Sequence, residues 1–426
     1  MKLFDRCMLA AFAVYLVLGN IPRIGSFSRF GGFPASELAL FVLAAFGCIR
    51  CRVVVPKPLL VISVLFLASW SIGALIHTDA SVQDHLYALM YAVRVGAVVL
   101  ASNYIGWILS RRYSLQSVKR MYIGIALAQV AIGIAIYVIF PQAQMLWMFL
   151  SEYGVNIGGD PHVRRLVGPI FDPNFFGNLL VLPTTLLIAD ILTTRARSAF
   201  PILLIMLIAI LMTYSRSSFL GLAVCLFTLY CIILLNRSGV RYSTWSRGVY
   251  LFSLGVMLSI ALVFLYPEVP TRLAERFAHM SMDNSAMARW DSLQRGLDYF
   301  LSFPYLLTGL GYNYLPFVTK FGSMTTGYDQ SLLTLFATCG IPLGTLSIIM
   351  FWAWLRAALV WPRCSDVGLY ASLIAYLTAS LIMSMFNNLL FLPLYMFTVL
   401  PLLAYGYWKG KKDDFSRSGI SCSKAA

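Results

Sequence analysis

Several arginines of this chain stand beside turn-forming residues, where their side chains are suited to bind an anion. Arg164 and Arg165 come shortly before Asp172-Pro173-Asn174, and Arg216 lies within the run Ser215-Arg216-Ser217. A guanidinium group pairs with phosphate through two hydrogen bonds and keeps its charge when buried. The arginines therefore predict a site for a multivalent anion, such as a lipid phosphate or pyrophosphate.

Each of these motifs also has a purely structural interpretation. Pro173 suits the first turn of a helix and Asp172 suits its cap. The run Ser215-Arg216-Ser217 is equally a plain polar turn. Asp329, which precedes an apolar run, is either a helix cap or a carboxylate poised over the membrane surface.

Arg94 is the one charged residue well inside an apolar segment. A central arginine costs about 2.5–3.5 kcal/mol on membrane-insertion scales. It either snorkels or pairs structurally, or it faces a cavity that holds an anionic headgroup.

The elements that position these residues are membrane spans. The 426 residues are 60% hydrophobic and only 12% charged, with a mean hydropathy of +0.79. A soluble domain carries about 25% charged residues, so an ordinary soluble enzyme is excluded. The net charge of +15 is explained by basic cytoplasmic loops, without nucleic acid as a partner.

The apolar runs predict an all-α polytopic membrane protein with about twelve transmembrane helices. The predicted spans cover residues 7–22, 33–49, 58–76, 87–109, 121–140, 174–192, 199–213, 217–235, 249–266, 330–355, 366–386 and 389–408. Roughly two thirds of the Lys and Arg residues fall in one set of alternate loops, which includes both termini. We therefore expect both termini in the cytoplasm and the chemistry on the outer face.

The organisation is that of one transmembrane helical domain, residues 1–408, followed by a polar cytoplasmic tail at 409–426. Two outward loops are long, at about 141–173 and 267–329. Arg289 lies in the second loop, where the apolar spacing of residues 290–300 predicts an amphipathic helix.

Several motifs are absent from the sequence. It has no Walker A motif, no HExxH and no Asp-x-Asp pair that would hold a metal and a nucleotide sugar, so we expect no cofactor and no metal. Acidic residues are nearly absent from the span interiors, which disfavours a proton-coupled transporter.

The order of motifs resembles the O-antigen polymerase and O-antigen ligase superfamily of bacterial inner membranes. The resemblance covers about residues 160–350. Its motifs are Arg165-x-x-Gly-x-x-x-Asp-Pro-Asn, Ser-Arg216-Ser, Asp-Asn-Ser-x-x-x-Arg289, Pro-Tyr-Leu-Leu-Thr-Gly-Leu-Gly-Tyr-Asn313, Tyr328-Asp-Gln-Ser-Leu-Leu and Cys-Gly-Ile-Pro-Leu-Gly.

The resemblance implies a GT-C-like integral-membrane glycosyltransferase of the Gram-negative inner membrane, acting on the periplasmic face. Its donor is a glycan on undecaprenyl pyrophosphate, and its acceptor is a lipid-linked glycan or lipid A–core. It uses neither nucleotide nor metal. Membrane lipids and a chain-length regulator are further partners. By position, Arg165, Arg216 and Arg289 match the important arginines of the superfamily.

The ligase branch typically has a His-Asn pair at the start of the late span, where this chain has Asp329-Gln330. The acidic residue favours a polymerase. A ligase is the first alternative, and a flippase or exporter of lipid-linked oligosaccharides is the second.

The catalytic residues that we expect are therefore Arg165, Arg216, Arg289 and Asp329, with the three arginines on the pyrophosphate and Asp329 on the acceptor hydroxyl. The expected substrate-binding residues are Arg94, Arg164, Asp172, Asn174, Asn313 and Tyr328. Among these, Asn174, Asn313 and Tyr328 would hold sugar hydroxyls.

Overall fold

The computed structural model describes residues 2–23, 35–140, 143–152, 165–194, 197–235, 294, 296–298, 300–312, 314 and 330–417. Within these residues the secondary structure is helical and there is no β-strand, as the sequence predicts. The α-helices are α1 Lys2–Leu18, α2 Ala35–Cys51, α3 Lys57–Ile76, α4 Val82–Arg112, α5 Leu115–Ile139, α6 Ala143–Glu152, α7 Pro173–Thr194, α8 Phe200–Met212, α9 Arg216–Leu235, α10 Tyr305–Thr308, α11 Ser331–Ser365, α12 Val367–Met383 and α13 Pro393–Arg417.

The starts of several helices are fixed by side-chain caps. The Ser81 hydroxyl accepts from Asp84 N, and Asp84 in turn accepts from Ser81 N, which makes a capping box at the start of α4. The Ser114 side chain caps α5 and the Asp366 side chain caps α12. These polar residues end the connecting loops, so each apolar run begins as a helix at a defined residue.

Six helices in the described part of the chain are long and apolar enough to cross a membrane. They are Lys57–Ile76, Val82–Arg112, Leu115–Ile139, Pro173–Thr193, Arg216–Ile233 and Ser331–Arg363. Phe200–Met212 and Val367–Met383 are apolar but shorter. The predicted span at 249–266 lies outside the described residues, so the count of twelve stays a prediction.

Helix α7 forms the centre of the bundle. Its apolar window is 94% buried, whereas the windows of α3, α5 and α9 are each 33% buried. It packs against α9 and α12, which also pack closely on each other. Most of α7 is therefore surrounded by other helices, whereas Asn174 and Phe175 at its start are partly exposed.

Helix α11 is interrupted at Gly340, whose φ of 68° and ψ of 172° are not helical. A side chain at this position would collide with the Leu307 carbonyl, so glycine is required. Beside the break, Leu310 N donates to Ala337 O at 2.8 Å and Gly311 N donates to Thr338 O at 3.0 Å. The glycine-rich segment thus takes up carbonyls that the interrupted helix leaves unpaired.

An ion-pair network lies near the C-terminal end of α7, with Lys119 and Asp190 buried and Asp366 partly exposed. Lys119 Nζ lies 2.8 Å from Asp190 Oδ1 and 3.4 Å from Asp366 Oδ2. The network joins α5, α7 and α12, and the pairing compensates the burial of these charges.

The predictions for the tail at 409–426 and for the loop at 267–329 can be compared with the structure only in part. Helix α13 continues to Arg417, so the first half of the predicted tail is helical. Most of the loop at 267–329 and most of its predicted amphipathic helix lie outside the described residues, although residues 296–298 and 300–301 are helical.

Candidate active site

The segment before α7 is tied to the end of α8 by Arg165. Its Nε donates to Thr213 O at 2.8 Å and its Nη2 donates to Asn174 Oδ1 at 2.8 Å. Leu166 N donates to Met212 O at 2.9 Å. Arg165 is only 7% exposed, so these bonds hold a buried guanidinium in one orientation.

Asp172 acts as the cap that the sequence suggests. Its Oδ1 accepts from Asn174 N at 2.7 Å and from Phe175 N at 3.1 Å, and Pro173 is the first residue of α7. The structural interpretation of Asp172 is thus confirmed. A contact of Asp172 with substrate stays a prediction.

The turn between α8 and α9 is as tight as the sequence predicts. Tyr214 adopts a left-handed backbone with a φ of 49°, which lets the chain reverse within a few residues. The Ser215 hydroxyl accepts from Ser218 N at 3.3 Å and supports the first turn of α9, which begins at Arg216. The side chain of Arg216 is partly exposed.

Arg165 and Arg216 therefore lie around the same turn. The carbonyl that holds Arg165 belongs to Thr213, shortly before Arg216. The guanidinium of Arg165 is thus held at the turn after which Arg216 begins α9. Arg164 and Arg289 lie outside the described residues.

A buried polar network extends from this turn, and the sequence analysis did not assign its two asparagines, Asn178 and Asn387, to the site. The Oδ1 of Asn178 accepts from the Ser218 hydroxyl at 2.8 Å and from the Ser217 hydroxyl at 3.4 Å. The Nδ2 of Asn387 donates to Ser217 Oγ at 2.9 Å. Asn178 lies one helical turn after Asn174, and this spacing was the available signal.

The network reaches the first residue of α11. Ser331 N donates to Ser384 O at 3.0 Å, Leu390 N donates to Ser331 Oγ at 3.1 Å, and Ser331 Oγ donates to Asn387 O at 3.5 Å. The turn between α12 and α13 is therefore hydrogen-bonded to the start of α11. Asp329 comes directly before the described residue Gln330, but Asp329, Tyr328 and Asn313 themselves lie outside the described residues.

The neighbours of Asn313 are described and are anchored to α3 and α4. The ring of Tyr312 packs edge-on to Phe66, with centroids 4.8 Å apart. The hydroxyl of Tyr314 lies 2.6 Å from His85 Nδ1 in a hydrogen bond. Burial raises the pKa of the Tyr314 phenol, so this hydroxyl stays protonated at neutral pH.

Some buried polar atoms on α7, before α11 and in the turn between α12 and α13 have no hydrogen-bond partner among the described residues. They are Asn178 Nδ2, Gln330 Oε1 and Asn388 Oδ1. Buried polar groups are usually paired, so these amides are candidates for contacts with a polar substrate.

Arg94 occupies a different setting from Arg165 and Arg216. Its guanidinium binds Glu37 through both Nε and Nη2, and Glu37 is fully buried. Tyr15 OH also donates to Glu37 at 3.5 Å. This ion pair matches the structural interpretation of Arg94, and a contact with substrate stays a prediction.

Within the part of the chain that the structure describes, no group of three or more His, Cys, Asp or Glu side chains is arranged to hold a metal ion.

Residues 201–348 match the family model described as O-antigen ligase. The match confirms the resemblance found in the sequence. It covers Arg216 and Asp329, whereas Arg165, Asn174 and Asn387 lie outside it. No curated protein matches the chain.

The match supports an activity of the O-antigen ligase and polymerase type, with lipid-linked glycans as the general class of substrate. Together with the apolar helices, it indicates a multi-pass membrane protein.

Proposed function

We propose that this protein is a glycan polymerase that acts on the periplasmic face of the bacterial inner membrane. It transfers an oligosaccharide from undecaprenyl pyrophosphate to a hydroxyl of a second lipid-linked repeat unit. The observation that carries the proposal is that Arg165 is bound to the turn after which Arg216 begins α9, beside the network that leads to the start of α11.

The arginines would act on the leaving group. Arg216 and Arg165, joined by Arg289, bind the pyrophosphate of the donor. Negative charge grows on that group as the bond between the anomeric carbon and the phosphate oxygen breaks. Fixed cations stabilise this transition state more than the ground state, and they supply this charge without a divalent metal.

Asp329 would act on the acceptor. Its carboxylate orients the attacking hydroxyl and takes its proton as the new glycosidic bond forms. An ordinary Asp has a pKa of about 3.9 and is a weak base. When the transition state has oxocarbenium character, the attacking hydroxyl loses its proton late in the reaction, so a weak base suffices. Attack on the opposite face of the sugar inverts the anomeric centre.

Substrate hydroxyls have candidate partners at the same end of the bundle. Asn174 is oriented by Arg165, whereas Asn313 and Tyr328 are assigned to sugar hydroxyls from the sequence alone. The Nδ2 of Asn178, which has no hydrogen-bond partner among the described residues, adds one donor.

A ligase that transfers the glycan to lipid A–core is the second candidate, and the description of the matching family favours it. The carboxylate of Asp329, at the position where the ligase branch typically has histidine, supports the polymerase.

One incubation separates the two candidates. The purified protein is supplied with a defined undecaprenyl-pyrophosphate glycan, with and without lipid A–core, and the products are resolved by length. A ladder in the absence of lipid A–core is the result that we expect. Product that forms only when lipid A–core is present would identify a ligase.

A further inference from the structure

The turn between α12 and α13 contacts the starts of two helices that each carry one half of the proposed chemistry. Helix α9 begins with Arg216, and α11 begins directly after Asp329 and Gln330. Asn387 lies between these two helix starts and is only 6% exposed. Its position connects the leaving-group side of the site with the acceptor side.

The side chain of Asn387 fixes the α9 side. Its Nδ2 donates to Ser217 Oγ at 2.9 Å, and Ser217 directly follows Arg216. The Ser217 hydroxyl also lies 3.0 Å from Ser215 Oγ in a hydrogen bond. Asn387 thereby holds the residues on either side of Arg216.

The backbone of the same turn fixes the α11 side. The Asn387 carbonyl accepts from Ser331 Oγ at 3.5 Å, and Leu390 N donates to the same hydroxyl at 3.1 Å. Ser331 is fully buried. One residue, Asn387, thus contacts α9 through its amide and α11 through its carbonyl.

We propose that Asn387 is a positioning residue that sets how the start of α9, at Arg216, lies relative to the start of α11, which follows Asp329 and Gln330 in the sequence. The inference rests on the proposed function, since it assigns the leaving group to Arg216 and the acceptor to Asp329. Asn387 touches neither substrate. It acts on Ser217 through its side chain and on Ser331 through its backbone carbonyl. Loss of the side-chain amide releases the α9 side and changes the alignment of the two reacting groups, while Arg165 and Arg216 still bind the donor.

The test compares variants of the full-length protein in lipid nanodiscs with a synthetic undecaprenyl-pyrophosphate repeat unit as substrate. Asn387→Ala removes the amide, and Asn387→Asp keeps its shape but replaces the donor with an oxygen. Ser217→Ala removes the acceptor of the same bond. Ser372→Ala is the matched control, because Ser372 is a fully buried residue of α12 whose hydroxyl donates to Gly368 O.

Misplacement by about 1 Å lowers rates on the order of 100-fold, so both Asn387 variants should lose about 10- to 100-fold in kcat. Their KM for the donor should stay within about threefold of the wild-type value, since ground-state binding is retained. Combining Asn387→Ala with Ser217→Ala should lower kcat no further than the worse single variant, because both remove the same bond.

Wild-type kcat in Asn387→Asp or Asn387→Ala would overturn the inference, and so would additive losses in the double variant. An equal loss in Ser372→Ala, or a loss that follows a reduced fraction of folded protein, would show that the role of Asn387 is general stability. A wild-type protein that forms no glycan product contradicts the proposed function itself, which is a different result from an active protein that is insensitive to Asn387.

Discussion

Arg165 donates a hydrogen bond of 2.8 Å to Asn174 and a second one of 2.8 Å to the Thr213 carbonyl. The two bonds join the start of α7 to the end of α8 and leave the guanidinium beside the turn that carries Arg216. Arg165 therefore links two helices through hydrogen bonds and also places a fixed positive charge at the candidate site.

Arg165→Lys tests this double role. Lysine keeps the charge but lacks the planar fork that reaches two acceptors. We expect kcat/KM for the lipid-linked donor to fall on the order of 10- to 100-fold, and the midpoint of thermal unfolding in detergent to fall as well. Wild-type kinetics in Arg165→Lys would mean that the geometry of this guanidinium has no part in turnover.

Arg216→Ala tests the cation on the leaving group. Because the side chain is partly exposed at the start of α9, its removal should leave membrane insertion and folding intact. Loss of a preorganised charge from a transition state costs about 100-fold or more in kcat, so glycan chains should be nearly absent. Chain length is read on gels of extracted polysaccharide.

The control for this variant is Arg111→Ala. Arg111 is exposed at the end of α4, where it stacks on Trp107 with 4.8 Å between the guanidinium carbon and the ring centroid. Its removal should leave chain length unchanged. Near-normal chains in Arg216→Ala would count strongly against the proposed mechanism.

Asp329→Asn tests the proposed base. The substitution keeps the shape and removes the charge, so the acceptor hydroxyl loses its proton acceptor. We expect a loss of about 100-fold or more in kcat, within the range of general-base catalysis, with donor KM little changed. Retained activity would reduce Asp329 to a helix cap.

The pair of Arg94 and Glu37 has a different expected role, since both members are buried and bind each other. Glu37→Gln leaves the arginine without its counter-charge and should lower the free energy of unfolding by about 3–5 kcal/mol. The double replacement Arg94→Met with Glu37→Leu removes both charges and should recover most of that loss. Denaturant or thermal unfolding in detergent measures both effects.

The same double variant tests whether Arg94 binds substrate. Its turnover per folded molecule should equal that of the wild type. A folded double variant with weak donor binding would instead place Arg94 in the substrate site.

The sequence was sufficient for those features of the site that depend on local spacing. The cap at Asp172 and the tight turn at Tyr214 follow from residues next to each other, and both are present. Contacts between residues far apart in the sequence could not be predicted from the sequence. Asn387 and Ser217 are 170 positions apart, and their contact depends on the packing of α12 against α9.

Arg94 shows the same limit for charges. The sequence marks it as costly, but its partner Glu37 is 57 positions away on α2. Only the packing of α2 on α4 identifies the pair. Polar residues inside spans can therefore be found by composition, whereas their partners require the tertiary structure.

The proposed mechanism requires that the protein binds the pyrophosphate of its donor through Arg216. Binding of this lipid, of undecaprenyl monophosphate and of undecaprenol to the wild type and to Arg216→Ala is measured in nanodiscs by mass spectrometry. We expect the wild type to bind the diphosphate most tightly and Arg216→Ala to lose about tenfold or more of that preference, because charge-assisted hydrogen bonds to the diphosphate are lost. Equal affinity for all three lipids, or an unchanged preference in Arg216→Ala, would contradict the proposed mechanism.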